Sequence, residues 1–83
     1  MLTIRYSEDA CAQFDQATRR VLDALNKQFS IVELQDYGEE WFVRVWKTED
    51  DEFPVGIFGK TPYVAAERLA RALKVEVNDP KPM

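Results

Sequence analysis

Leu2, Ile4 and Tyr6 alternate with Thr3 and Arg5, the two-residue period of a short strand. Ser7 then offers an N-cap oxygen, and Glu8 and Asp9 sit where the helix dipole favours negative charge. Ala10, Phe14, Ala17, Val21 and Leu25 follow at helical spacing, with Asp15, Arg19, Arg20, Asp23 and Lys27 mostly between them. The pattern predicts an amphipathic helix over residues 8–27 with one buried face. Phe29, Ile31, Val32 and Leu34 give residues 29–35 strand character, and Asp36-Tyr37-Gly38-Glu39 reads as a turn. The clearest strand is Trp41 to Lys47, with Trp41, Val43 and Val45 on one side and Phe42, Arg44 and Trp46 on the other. An acidic hairpin loop, Thr48 to Glu52, leads into a third strand of the meander from Phe53 to Phe58, with Val55 and Ile57 inward. Pro54 removes a ladder donor near its start, which suggests an edge or a bulge.

Gly59-Lys60-Thr61-Pro62 ends the sheet: Thr61 is an N-cap, and Pro62 has its φ preset for a first helical position. The last helix is predicted from Pro62 to about Lys74, with Ala65, Leu69, Ala72 and Leu73 on one face. The expected fold is α+β in the order β-α-β-β-β-α, an antiparallel meander sheet covered by two helices. Residues 1–77 form one domain in this reading, and residues 78–83 a frayed tail. The middle strand has large apolar groups on both sides. Either helices cover both sheet faces or one aromatic face is left for a partner.

Composition narrows the function more than the fold. With 46% hydrophobic residues and aromatics such as Trp41, Phe42, Trp46, Phe53 and Phe58, the chain has the makings of an ordered core. The net charge of −4 opposes non-specific attraction to nucleic acid and argues against that partner. There is no histidine, so Ser-His and Cys-His nucleophiles and the commonest metal ligand are ruled out. The expectation is a protein that is not an enzyme and needs no cofactor. Cys11 is the only cysteine, which excludes an intramolecular disulfide and points to a reducing, cytoplasmic setting. The first six residues are too soon interrupted by charge to read as a signal peptide. No apolar run approaches a membrane span, so no membrane partner is expected.

Four features are candidate binding residues. Glu49-Asp50-Asp51-Glu52 is the most conspicuous charge run, an acidic patch or a solvated hairpin tip; it lacks the alternating ligands and turn glycine of a calcium loop. Glu39-Glu40 lies at the other end of the middle strand, and seven strand residues separate the two groups by roughly 20 Å or more. Lys60 stands beside the free N–H groups that open the last helix, where an anion could sit, although an ordinary cap is the simpler reading. Trp46, with Phe42 and Phe58, forms either core beneath a helix or an exposed aromatic platform, and the commoner outcome for such residues is core. Cys11 reads as a small core residue.

The order α-β-β-β-α, ending Phe58-Gly59-Lys60-Thr61-Pro62-Tyr63-Val64-Ala65-Ala66-Glu67, looks like a double-stranded-RNA-binding domain. That family carries a lysine cluster at the start of its last helix, where this chain has only Lys60. A resemblance over most of the chain rests on Tyr6-Ser7-Glu8-Asp9, Tyr37-Gly38-Glu39-Glu40-Trp41-Phe42-Val43-Arg44 and Pro62-Tyr63-Val64-Ala65-Ala66-Glu67-Arg68-Leu69-Ala70. These segments resemble the phage ABA sandwich domain family, small phage-encoded proteins with a sheet between helices. The resemblance implies a fold and a phage context, and no activity. Together with the acidity it motivates the leading expectation: a non-enzymatic protein that binds, and by binding inhibits, a host protein or complex such as a CRISPR effector. The alternative is a nucleic-acid-binding accessory domain using Lys60, Arg68 and Arg71.

Overall fold

The computed structural model describes residues 2–77. Its elements are β1 (Leu2–Arg5), α1 (Gln16–Gln28), β2 (Ile31–Asp36), β3 (Trp41–Trp46), β4 (Val55–Gly59) and α2 (Pro62–Ala72). The α+β order β-α-β-β-β-α is the expected one. β1 joins the meander, so that four antiparallel strands lie side by side in the order β1-β2-β3-β4. The tail reading of residues 78–83 lies outside the described residues.

Register decides what each face carries, because side chains alternate strictly along a strand. Ile4, Leu34, Val43 and Ile57 face one another across all four strands, and Val32 pairs with Val45 beside them. These residues point to the helices. Val21, Leu22 and Leu25 of α1 and Ala65, Ala66, Leu69 and Ala70 of α2 close over them in a single apolar cluster. The helices also pack against each other. Both therefore lie on the same side of the sheet, and the molecule has two layers. The sheet-between-helices arrangement implied by the resemblance is not the one found. Leu22, Leu25, Leu34 and Leu69 are fully buried, each worth roughly 1.5–3 kcal/mol of apolar transfer.

The first helix starts later than its pattern predicts. Ser7 Oγ does accept the Ala10 N–H at 3.1 Å, but it caps a turn, and the segment continues through i→i+3 bonds such as Phe14 N–H to Cys11 O at 3.1 Å. The helix proper opens at Asp15, whose carboxylate accepts the Thr18 N–H at 2.8 Å. Aspartate competes well for backbone donors, and the second cap displaces the first. Thr18 and Leu22 are buried, while Ala10 and Ala17, expected inside, are exposed. Hydrogen bonds from Thr18, side chain and backbone, hold the Asp15 carboxyl below the ordinary aspartate range. The cap is thus at full strength above that range and is lost as pH falls through the lowered value.

At its other end α2 closes in a Schellman arrangement. Val75 N–H donates to Ala70 O at 2.8 Å and Lys74 N–H to Arg71 O at 3.2 Å, while Val75 returns to the core. Lys74 takes the left-handed conformation, φ 58°, at the position where glycine is usual, which shortens the helix expected to reach Lys74. Lys74→Gly is expected to raise stability by about 0.5–1 kcal/mol and the melting temperature by a few degrees, as relief of the φ strain exceeds the added unfolded-state entropy. An unchanged or lower melting temperature would show that the turn is not strained.

Candidate functional site: the open face of the sheet

With both helices on one side, the other side of the sheet has no layer over it. Phe42, Trp46 and Phe58 stand there. The commoner expectation, core beneath a helix, is overturned for these three because no helix crosses that face.

The register sorts the face into rows. Thr3, Gln35, Phe42 and Phe58 form one, and Arg5, Glu33, Arg44 and Gly56 the next; Trp46 lies opposite Ile31 beyond them. The side toward β1 is polar and the side toward β4 is aromatic. Phe42 and Phe58 have ring centroids 4.6 Å apart, and Tyr37, from the β2–β3 turn, adds its ring 5.7 Å from that of Phe58. Phe58 remains 47% exposed and Tyr37 50%. Gly56 makes this layer possible. A Cβ there would collide with the Phe42 ring and lie 2.9 Å from Arg44 Cβ, so the ring lies over bare backbone.

Arg44 ties the rest together. Its Nε and Nη2 both donate to Glu33 Oε1, at 2.9 and 2.6 Å, and its guanidinium lies 4.8 Å from the centre of the Trp46 ring. A half-buried charge-assisted pair and a cation–π contact hold Trp46 and Arg44 in one orientation. Tyr37 is fixed in the same way, donating its OH to Gln35 Oε1 at 3.0 Å. Contacts within the chain thus fix the arrangement of the face.

Acidic loops lie at both ends of β3. At the start, Glu39 and Glu40 share a recess of about 480 Å³ with Tyr37 and Lys60. At the far end, Glu49, Asp50 and Glu52 are exposed, whereas Asp51 serves its own hairpin by accepting the N–H groups of Lys47 at 3.3 Å and Phe53 at 3.0 Å. Phe53 stands 81% exposed beside them. The six residues of β3 span about 17 Å, so the loops lie at least that far apart. Of the candidate residues, Trp46 thus belongs to the open face, Glu49 to Glu52 adjoin its end of the strand, and Lys60 sits at the opposite end.

The cations of the nucleic-acid alternative do not form a free cluster. Arg68 Nη1 donates to Phe58 O at 3.4 Å, Arg71 pairs with Glu67 at 2.8 Å, and Lys60 sits with Glu39 and Glu40. Cys11 is fully buried, and burial raises its pKa despite the backbone hydrogen bond from Ser7, so the thiol stays protonated at neutral pH. Burial, and then the neighbouring Asp23 carboxylate, likewise raise the Tyr6 phenol, whose OH lies 3.4 Å from Asp23 Oδ1. Among the described residues no three of His, Cys, Asp and Glu are placed to hold a metal. Nor is any helix among them long and apolar enough to cross a membrane.

No protein-family model matches the chain, and neither does any curated protein or solved structure. The likeness to phage ABA sandwich domains rests on the segments 6–9, 37–44 and 62–70 alone.

Sequence pattern alone missed Tyr37, Glu33 and Gly56 as parts of this face. Tyr37 looks like a turn residue, and Glu33 and Gly56 join this face only through register. A usable signal was nonetheless present: Arg44 shares the strand parity of Phe42 and Trp46, and a charge between them does not belong under a helix.

Proposed function

We propose that this protein is a non-enzymatic interaction module that binds a protein partner through the open face of its sheet. The observation that carries the reading is the preformed aromatic layer of Tyr37, Phe42, Phe58 and Trp46, uncovered by either helix and bordered by acidic loops at both ends of β3. Aromatic anchors with a charged rim are the common make-up of protein interfaces. Phosphate backbones would meet carboxylates at both ends of the face, which favours a protein partner over nucleic acid. A host protein in the cytoplasm, inhibited by being covered, is the version that the phage-like motifs and the lone cysteine support, a CRISPR effector being one example.

The test is capture of partners from host lysate by the native chain and by two variants that each add one negative charge. Phe58→Glu places it in the aromatic layer; Ala17→Glu places it on exposed helix surface. A partner retained by the native chain and by Ala17→Glu and lost by Phe58→Glu is the expected result. Partners bound equally by all three would rule out the open face as the binding surface.

A further inference from the structure

The two ends of the open face repeat one composition. At the start of β3, the exposed aromatics Tyr37 and Phe58 lie by Glu39 and Glu40. At its end stands Trp46, and the loop that follows carries the exposed Glu49, Asp50 and Glu52. Two carboxylates stand against Lys60 at one end and four against Lys47 at the other, so each end is net negative. Between them Arg44 pairs with Glu33, and the remaining cation of that row, Arg5, lies two strands away on β1. Acid and aromatic together suit a lysine or arginine side chain: the carboxylate binds the charge while a ring takes the flat side of the cation or its methylene stem.

Charge also excludes the nearest alternative occupant, a second copy of this chain. Because both ends of β3 are acidic, face-to-face stacking sets acid against acid whether the two sheets run parallel or antiparallel. Like-charge contacts of that kind oppose association.

Resting on the reading of this face as a protein-binding surface, we infer that its occupant is a bipartite basic segment of a partner protein. Two clusters of lysine or arginine, at least about 17 Å apart, engage the two acidic ends. Apolar side chains between them pack on Phe42 and Phe58. In an extended segment the clusters are at least about five residues apart, and in a helical one at least about eleven. Arg68, by donating to the outward carbonyl of Phe58, occupies an acceptor on the β4 edge, which directs the partner onto the face instead of alongside the sheet.

A displayed library of random peptides, each about 16 residues long to span either conformation, tests this. It is selected first on the native chain, and the recovered peptides are then titrated against three variants: Glu39→Lys/Glu40→Lys, Glu49→Lys/Glu52→Lys and Phe58→Glu. Asp51 is left intact in all of them because it holds its hairpin together. The expected peptides carry two Lys/Arg clusters around an apolar centre. Reversing either loop is expected to weaken them at least about tenfold at about 0.05 M salt, an effect that shrinks at about 0.5 M. Neutral or acidic peptides, basic peptides indifferent to both loop reversals, selection of no peptide, or retention of oligothymidylate instead would each overturn the basic-segment partner. The separate reading of the face is judged by Phe58→Glu: loss of neutral peptides on that variant would leave the face standing with a different partner, and basic peptides that ignore it would remove the face as well.

Discussion

Gly59→Ala is expected to lower the melting temperature by about 10 °C or more, the largest effect of any single-methyl change in the sheet. Gly59 ends β4 on the helix side, opposite Trp41. A Cβ there would collide with the Ala65 backbone N, and would lie 2.7 Å from Ala65 Cα and 2.9 Å from Val64 C. All three atoms belong to the helix backbone, in the turn fixed by Thr61 Oγ1, which accepts the Val64 N–H at 3.1 Å. No side chain can rotate away to relieve the contact. The helix must lift, and Ala65, Ala66 and Leu69 lift with it from Val43 and Val45. Overpacking of this kind typically costs about 1–3 kcal/mol, and a backbone clash belongs at the top of that range. A thermal melt within about two degrees of the native chain would mean that α2 does not approach β4 as closely as described.

Gly56→Thr is expected to weaken partner binding at least about tenfold while costing the fold less than Gly59→Ala does. The two glycines lie on the same strand with opposite parity, so a Cβ at Gly56 enters the open face and leaves the core alone. The obstacle there is a side chain, the Phe42 ring, with Arg44 Cβ at 2.9 Å. The ring can swing outward, but Arg44 Cβ is one bond from the β3 backbone and cannot. The strands must part slightly, so stability is expected to fall by about 1–2 kcal/mol, partly offset by the strand preference of threonine. The face cannot absorb the change in the same way. Phe42 leaves its partner Phe58, 4.6 Å away in the native chain, and the ring-current shifts that this stacking imposes on both residues are expected to diminish. Partner affinity is expected to fall at least about tenfold, the loss typical of disturbing one buried aromatic anchor. Retention of full affinity with a displaced Phe42 would separate the aromatic layer from function.

The alternation of β3 was fully legible in sequence, and so were the cap at Thr61-Pro62 and the α+β order, because each is set by residues close together in the chain. What escaped depends on distant partners. Periodicity divides Trp41, Val43 and Val45 from Phe42, Arg44 and Trp46, but it cannot say which set meets the helices. That is decided by where α1 and α2 land. Both do so on the valine side, where small alanines let α2 come close to β4 while the Phe42 and Trp46 side keeps Arg44 and Glu33. The helix start was misplaced for a different reason. Ser7 and Asp15 are both sound N-caps, and only the burial of Cys11 and the packing of Phe14 edge-on against Trp41, 5.8 Å between centroids, show why the chain turns first and becomes helical later. Of the candidate site, the acidic run and Trp46 were visible as residue types. Their relation to Tyr37 and Phe58 at the other end of the strand was not.

The most direct measurement of the central claim is the affinity of the captured partner for Phe58→Glu relative to Ala17→Glu, two chains of equal net charge. Binding through the open face predicts that Ala17→Glu stays within about twofold of the native chain, while Phe58→Glu falls by at least about a hundredfold, as expected for a charge placed in a desolvated aromatic anchor. Equal affinities for the two variants would contradict it.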